Sequence, residues 1–148
     1  MAEQIESTFT LRYAISADVR ATPGMIWATL TDAGRFPTWN STVTSIEGPI
    51  KLGTRLRIRV PIAPERVFSP TVVGFDPEKR MVWRDGFFPM FQGTRTYTLT
   101  PGSGGATTFE MVEVFRGLML PMIKASLPDF RPVFDQYVAD LKRVCEAG

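Results

Sequence analysis

Hydrophobic and polar residues alternate along the first part of the chain. In residues 9–19 every second residue is apolar, and the residues between them are polar or small. Alternation sustained over this length predicts a strand with one face on a core and the other in water. Similar, shorter segments separated by turn residues follow, which indicates an antiparallel sheet. These further predicted strands are residues 43–47, 53–62, 66–75, 80–85, 92–100 and 107–115.

Two segments change to a helical period. Thr22 and Pro23 are typical of a helix cap and a first helical position, and Ile26, Trp27 and Leu30 recur behind them at helical spacing. From about residue 130 to residue 145, apolar residues fall on one face of a long amphipathic helix. Prolines near its start leave two alternatives: a kinked helix from about residue 121, or a loop and a short turn before a helix from about residue 128.

Together these elements predict one α+β domain over residues 1–148. We expect a curved antiparallel β-sheet of about six to seven strands wrapped around a long C-terminal α-helix, with short helices after the first strand. Such an arrangement buries the apolar faces of sheet and helix in one core.

Composition excludes several classes of function. The chain has no histidine, which removes imidazole-based catalysis and imidazole metal ligation, and carboxylates do not cluster at a recognisable metal-binding spacing. Seventeen basic and fifteen acidic side chains give a net charge of +2, too balanced to indicate nucleic-acid binding. No apolar run is long enough to span a bilayer, and the N-terminus lacks the apolar core of a secretory signal. We expect a cytoplasmic protein without metal or cofactor, whose single Cys145 is a packed thiol.

The segment from Val19 to Asn40 resembles the start of the START-related helix-grip superfamily, the SRPBCC proteins. The family pattern reads like Ile-x-Ala-x-x-x-x-Val-Trp-x-x-Leu-x-Asp followed by Trp-Asn. In this sequence its places are held by Val19, Ala21, Ile26, Trp27, Leu30, Asp32, Trp39 and Asn40.

A second segment, from Met81 to Leu120, is similar to the late strands of the polyketide cyclase/dehydrase-like members of that superfamily. The matching positions are Trp83, Gly93, Tyr97, Leu99, Pro101, Thr107, Phe109, Glu113, Phe115 and Gly117. The resemblance implies a helix-grip fold with an internal pocket, and it specifies fold better than reaction, because these are mainly packing and turn residues.

Glu113 is the residue that we single out for chemistry. It shares a strand face with Phe109, Met111 and Phe115, so its carboxylate is expected to point into an apolar interior, where burial raises its pKa. Pairing across the loop of residues 101–105 would bring Arg95 near it. The two alternatives are a polar ligand anchor or acid–base group, and a buried structural ion pair.

The loop of residues 85–92 and the segment 117–123 are rich in aromatic residues and methionine. Three interpretations fit this composition: the mouth of an apolar pocket, the closed end of a core, and a contact with a second subunit. The ligand contacts that we predict are Trp83, Phe88, Phe91, Tyr97, Phe109, Met111, Phe115, Met119 and Phe134, with Arg95 and Glu113 as polar anchors.

Three functional hypotheses follow. The first is a binding module that holds a small hydrophobic molecule, such as a lipid, a polyketide-like compound or an isoprenoid, between the sheet and the C-terminal helix. The second, implied by the resemblance, is a cyclase or dehydratase in which Glu113 transfers protons and Arg95 stabilises negative charge. The third is a protein-interaction domain, like the chaperone-activator branch of the superfamily. It would bind its partner through the apolar segments 85–92 and 117–123. A homodimer is a possible assembly.

Overall fold

The computed structural model describes residues 1–147, and eight strands and four helices lie within them. The strands are β1 (Glu3–Glu6), β2 (Thr10–Val19), β3 (Ser45–Glu47), β4 (Arg57–Arg59), β5 (Thr71–Asp76), β6 (Arg80–Phe87), β7 (Phe91–Pro101) and β8 (Thr107–Arg116). The helices are α1 (Pro23–Leu30), α2 (Phe36–Trp39), α3 (Leu120–Ile123) and α4 (Arg131–Glu146).

Six strands form one antiparallel sheet in the order β1-β2-β8-β7-β6-β5, and β3 and β4 form a separate two-stranded sheet. Because side chains alternate between the faces of a strand, the register between strands decides which residues meet. On the inner face, the row that crosses the sheet joins Tyr13, Glu113, Arg95 and Trp83 as direct partners on β2, β8, β7 and β6.

The inner face of the sheet packs against α4. Phe134, Tyr137 and Leu141 of this helix are almost completely buried, and the ring of Tyr137 stacks parallel to that of Phe109 on β8, with 6.3 Å between the centroids. The predicted architecture, an antiparallel sheet against a long C-terminal helix, is thereby confirmed.

The start of α4 decides between the two alternatives left by the sequence. The chain forms the short helix α3 and a 3₁₀ turn (Lys124–Ser126), then continues through a loop before α4 begins at Arg131. Pro132 lies in the first turn of α4, where it removes no intrahelical hydrogen bond, and the Asp129 carboxylate accepts a hydrogen bond from the Arg131 amide at 3.0 Å. No helix within residues 1–147 is both long and apolar enough to cross a membrane.

Three predicted strands are shorter than the sequence pattern indicated, and one strand was missed. Of the predicted residues 43–47, only Ser45–Glu47 form a strand. In the predicted strands 53–62 and 66–75, regular pairing is confined to Arg57–Arg59 and Thr71–Asp76, with isolated bridges beside them. Prolines at positions 61, 64 and 70 lack the amide hydrogen that a ladder needs. The missed strand, β1, is a polar edge strand whose residues are largely exposed, so it has no alternating pattern to detect.

Candidate functional site

A cavity of about 130 Å³ lies between the inner face of the sheet, the β3–β4 sheet and the beginning of α4. The large sheet contributes Trp83, Asp85, Gly93, Arg95, Tyr97, Glu113 and Phe115 to its lining. The opposite wall is apolar and includes Val43, Ile46, Ile58, Val60, Ile62 and Phe68, and α4 with the residue before it adds Phe130, Val133 and Tyr137. The cavity is therefore apolar on most sides, with its charged residues concentrated on the sheet.

Arg95 and Glu113 form the polar centre of the site. They are direct partners on β7 and β8, and the Nε of Arg95 donates a hydrogen bond to Oε1 of Glu113 at 2.9 Å. The Arg95 guanidinium also lies over the ring of Phe134, 5.3 Å from its centroid. The side chains are only 21% and 12% exposed, so the pair is held largely out of water.

Burial and pairing act in opposite directions on Glu113. Burial raises the pKa of Glu113, because the charged carboxylate loses hydration, while the charge and hydrogen bond of Arg95 lower it, and the net shift is upward. Burial lowers the pKa of Arg95, but the neighbouring Tyr97 and Glu113 outweigh it, so the pKa rises and the guanidinium is permanently charged. The site thus combines a fixed cation with a carboxyl group whose proton affinity is enhanced, which is what a polar anchor or a proton-transfer group requires.

Gly93 leaves space beside this pair. It lies on the same face of β7 as Arg95, and a methyl group built on it would lie 3.6 Å from Oε2 of Glu113 and 3.3 Å from the ring of Phe115. Its missing side chain therefore keeps open the part of the cavity that borders the Glu113 carboxylate.

Three further polar groups lie around the cavity. The hydroxyl of Tyr137 donates a long hydrogen bond of 3.5 Å to that of Tyr97, and burial raises the pKa of Tyr137 well above its ordinary value. The indole nitrogen of Trp83 is buried without a hydrogen-bond partner among residues 1–147. Trp83 packs edge-on against Tyr97 at 5.1 Å between ring centroids, so this corner is aromatic and poorly hydrated.

The structure brings five of the predicted site residues together at the cavity. These are Trp83, Arg95, Tyr97, Glu113 and Phe115. The predicted approach of Arg95 to Glu113 is confirmed by their register and by the 2.9 Å hydrogen bond. The role of the five residues in ligand binding stays a prediction.

The other predicted contacts lie away from the cavity lining. Phe109 and Met111 are fully buried deeper in the core, and Phe134 is fully buried beside Arg95. Phe88 lies at the tip of the β6–β7 hairpin and is 57% exposed. Phe91 and Met119 lie at the same end of the fold and are partly buried. Phe91 stacks on Phe115, and the Met119 amide donates a hydrogen bond to the Met90 carbonyl at 2.9 Å.

The cavity-lining residues of the opposite wall and of α4 were not predicted as ligand contacts. Ile58 and Val60 belong to the alternating segment 53–62, and Val133 and Tyr137 belong to the apolar face of the C-terminal helix, so both patterns marked them as inward-facing. Periodicity distinguishes an inner face from an outer face, but it does not distinguish a residue that borders a cavity from one that is packed.

Among residues 1–147, no group of three or more Cys, Asp and Glu side chains is arranged to hold a metal ion. Cys145 is 3% exposed and contacts the Thr29 hydroxyl at 3.7 Å, far along α4 from the residues of that helix that line the cavity.

Residues 10–146 match the sequence family described as polyketide cyclase / dehydrase and lipid transport. No curated protein matches the chain significantly. Among solved structures, a norcoclaurine synthase point mutant of Thalictrum flavum, in complex with a transition-state analogue, aligns with a TM-score of 0.70 and 14% identity over 97% of this chain and 98% of the other.

Two bacterial structures are similar to a comparable degree. A START superfamily protein from Mycobacterium smegmatis aligns with a TM-score of 0.68 and 14% identity, over 92% of this chain and 97% of the other. A protein from Rhodobacter sphaeroides aligns with a TM-score of 0.69 and 18% identity, over 99% of both chains. At these identities the structural matches establish a common fold.

Proposed function

Because the chain belongs to the polyketide cyclase / dehydrase and lipid transport family of the START superfamily, we propose that it binds a small hydrophobic molecule in the cavity between its sheet and α4. The observation that carries this proposal is the cavity itself, which is largely apolar and has one charged pair on its sheet wall. Apolar pockets with a few convergent polar groups are the usual form of small-molecule sites.

Two features of the lining favour an apolar ligand over a polar one. Ile46, Ile58 and Phe68 offer only hydrocarbon surface, and contact with them removes apolar ligand surface from water. The charges of Arg95 and Glu113 compensate each other across 2.9 Å, so the pair orients a ligand without demanding a charged one.

Native mass spectrometry of the freshly purified protein, followed by solvent extraction, is the direct test. We expect an apolar adduct at one molecule per chain, and the extract identifies its class. The adduct must depend on the cavity: Val60→Phe and Gly93→Val both place side-chain volume in it, and each is expected to abolish the adduct. Thr96→Val is the matched control, since Thr96 lies on β7 with its side chain on the outer face.

An adduct retained by both cavity-filling variants would place the ligand elsewhere and contradict the proposal. If the purified protein carries no adduct, binding of the neutral fluorophore N-phenyl-1-naphthylamine is compared between the wild-type protein and the same variants. Two results would also contradict the proposal. One is no fluorescence enhancement with the wild type, and the other is equal enhancement with the wild type and the two filled variants.

A second function, catalysis of the cyclase or dehydratase type, is favoured by one observation. Glu113 is a buried carboxyl group with a raised pKa that borders the cavity, next to a cation that can stabilise negative charge on a bound molecule. On this proposal Glu113 transfers the proton and Arg95 stabilises the developing oxyanion.

Glu113→Gln separates the two functions. The amide keeps the size of the side chain but transfers no proton, so loss of turnover of the extracted compound with retained binding would establish catalysis by Glu113. Unchanged turnover in this variant would remove Glu113 from the mechanism, and no turnover by the wild-type protein would leave binding as the function.

A further inference from the structure

Building on the proposed binding function, we infer that the open side of the Arg95–Glu113 pair is a subsite for the hydroxyl group of a neutral ligand about the size of a single ring. The pair uses only part of its hydrogen-bonding capacity internally. The Arg95 Nε and the Glu113 Oε1 bind each other, while Oε2 of Glu113 accepts no hydrogen bond from any group in residues 1–147.

The geometry directs this unused oxygen toward the cavity. The methyl group that an alanine at position 93 would carry lies 3.6 Å from Oε2, and Gly93 itself lines the cavity. The space over Gly93 is therefore the approach by which a ligand atom reaches the carboxylate. Phe115, the direct partner of Gly93 on β8, provides an aromatic wall for the rest of the ligand.

A hydroxyl group matches what the two side chains offer. Guanidinium nitrogens only donate hydrogen bonds, whereas an ionised carboxylate only accepts them. Arg95 has terminal N–H groups without a carboxylate partner, and Glu113 has Oε2 as a free acceptor. One hydroxyl can accept from Arg95 and donate to Glu113 at once, and both bonds would be charge-assisted.

The charges of the lining exclude a carboxylate in this position. Asp85 and Glu113 supply two acidic groups and Arg95 one basic group, so the lining carries no excess of positive charge. Asp85 is close enough to contribute to the raised pKa of Glu113. An anionic ligand would bring a further negative charge next to Glu113 in a poorly hydrated space, which is unfavourable.

The volume limits the part of the ligand that is enclosed. The cavity measures about 130 Å³, and an engineered cavity of about 150 Å³ in another protein accommodates benzene. A single ring therefore fills the space that the structure encloses.

The test compares three probes of nearly equal shape by ¹H–¹⁵N NMR titration of the full chain. These are p-cresol, p-xylene, in which a methyl group replaces the hydroxyl, and 4-methylbenzoate, which is anionic. We expect p-cresol to bind about tenfold more tightly than p-xylene, with shifts centred on Gly93 and Phe115, and 4-methylbenzoate to bind more weakly than either.

Two variants assign this preference to the subsite. Arg95→Met/Glu113→Leu removes both polar groups and is expected to equalise the affinities of p-cresol and p-xylene. Gly93→Ala retains the pair but blocks the approach to Oε2, and it is expected to weaken p-cresol several-fold more than p-xylene. Thr96→Val, on the outer face of β7, is expected to retain the wild-type preference.

The outcomes separate this inference from the proposed function. Equal affinity of p-cresol and p-xylene for the wild-type protein, or a 4-methylbenzoate affinity as high as that of p-cresol, would overturn the hydroxyl subsite while apolar binding stood. A preference retained by Gly93→Ala would overturn it as well, even if the double variant failed to fold. No shift at the cavity with any of the three probes would contradict both the subsite and a ring-sized ligand for the cavity.

Discussion

Replacing Arg95 with methionine keeps an apolar stem of similar length but leaves the Glu113 carboxylate without its partner. The wild-type pair is joined at 2.9 Å, and both side chains are less than a quarter exposed. Removing one member of a buried ion pair typically costs about 3–5 kcal/mol, because the other charge stays buried and uncompensated. The contact of the guanidinium with Phe134 is lost as well.

Protonation of Glu113 limits this cost. An unpaired, buried Glu113 can avoid its charge by binding a proton, and the 2.5 pH units between its ordinary pKa of 4.5 and pH 7 correspond to about 3.4 kcal/mol. We therefore expect Arg95→Met to lower the free energy of unfolding by about 3 kcal/mol at pH 7. In a chain of this length that lowers the melting temperature by about 6–12 °C.

The same reasoning fixes the sign of the pH dependence. Without Arg95, burial and the charge of Asp85 both raise the pKa of Glu113 and no group opposes them, so its folded pKa lies further above the unfolded value than in the wild-type protein. The variant's folded state then binds more protons than its unfolded state above about pH 4.5, and its stability rises as the pH falls from 7 to 5. The difference from the wild type should shrink by about 1.4 kcal/mol per pH unit over the range in which Glu113 is protonated in the folded variant but ionised in the folded wild type.

Urea unfolding followed by tryptophan fluorescence at pH 7 and pH 5 measures both effects. Arg95→Met/Glu113→Gln has no carboxylate at this place and should show no such pH-dependent difference. Arg57→Met is the control, because Arg57 and Glu47 form an exposed pair at 3.5 Å, and we expect a change below about 1 kcal/mol at both pH values. A cost below about 1 kcal/mol for Arg95→Met, or an equal cost at pH 7 and pH 5, would refute the reasoning.

Two further predictions concern α4. Asp140 is 4% exposed; burial raises its pKa, but hydrogen bonds from the Ser41 amide and hydroxyl, both at 2.7 Å, and from Gln136 and Arg143 outweigh this, so the net pKa is lowered. Asp140→Asn should therefore lower the free energy of unfolding at pH 7 by about 1–3 kcal/mol. In urea titrations, this difference between variant and wild type should fade as the pH falls below the ordinary Asp pKa of 3.8. A difference that does not diminish there would contradict the assignment. Burial also raises the pKa of Cys145, so Ellman's reagent should modify this thiol only in denaturant, and rapid modification of the native protein would disprove its burial.

The sequence pattern alone determined the fold and the polar centre of the site. Alternation with period two assigns each residue of β7 and β8 to a face, and the short loop between these strands restricts their register, so Arg95 and Glu113 could be predicted to meet. The apolar face of α4 was equally readable, because helical periodicity is a local property of consecutive residues.

Tertiary packing decided which inward-facing residues border the cavity. Tyr137 lines it, whereas Phe134, one turn earlier on the same face of α4, packs beside Arg95. The opposite wall comes from β4 and its neighbours, including Ile58, far away in the sequence from β7, β8 and α4. A cavity is the volume left unfilled when such distant elements pack together, so its position and its lining depend on long-range contacts that the local periodicity of a sequence does not contain.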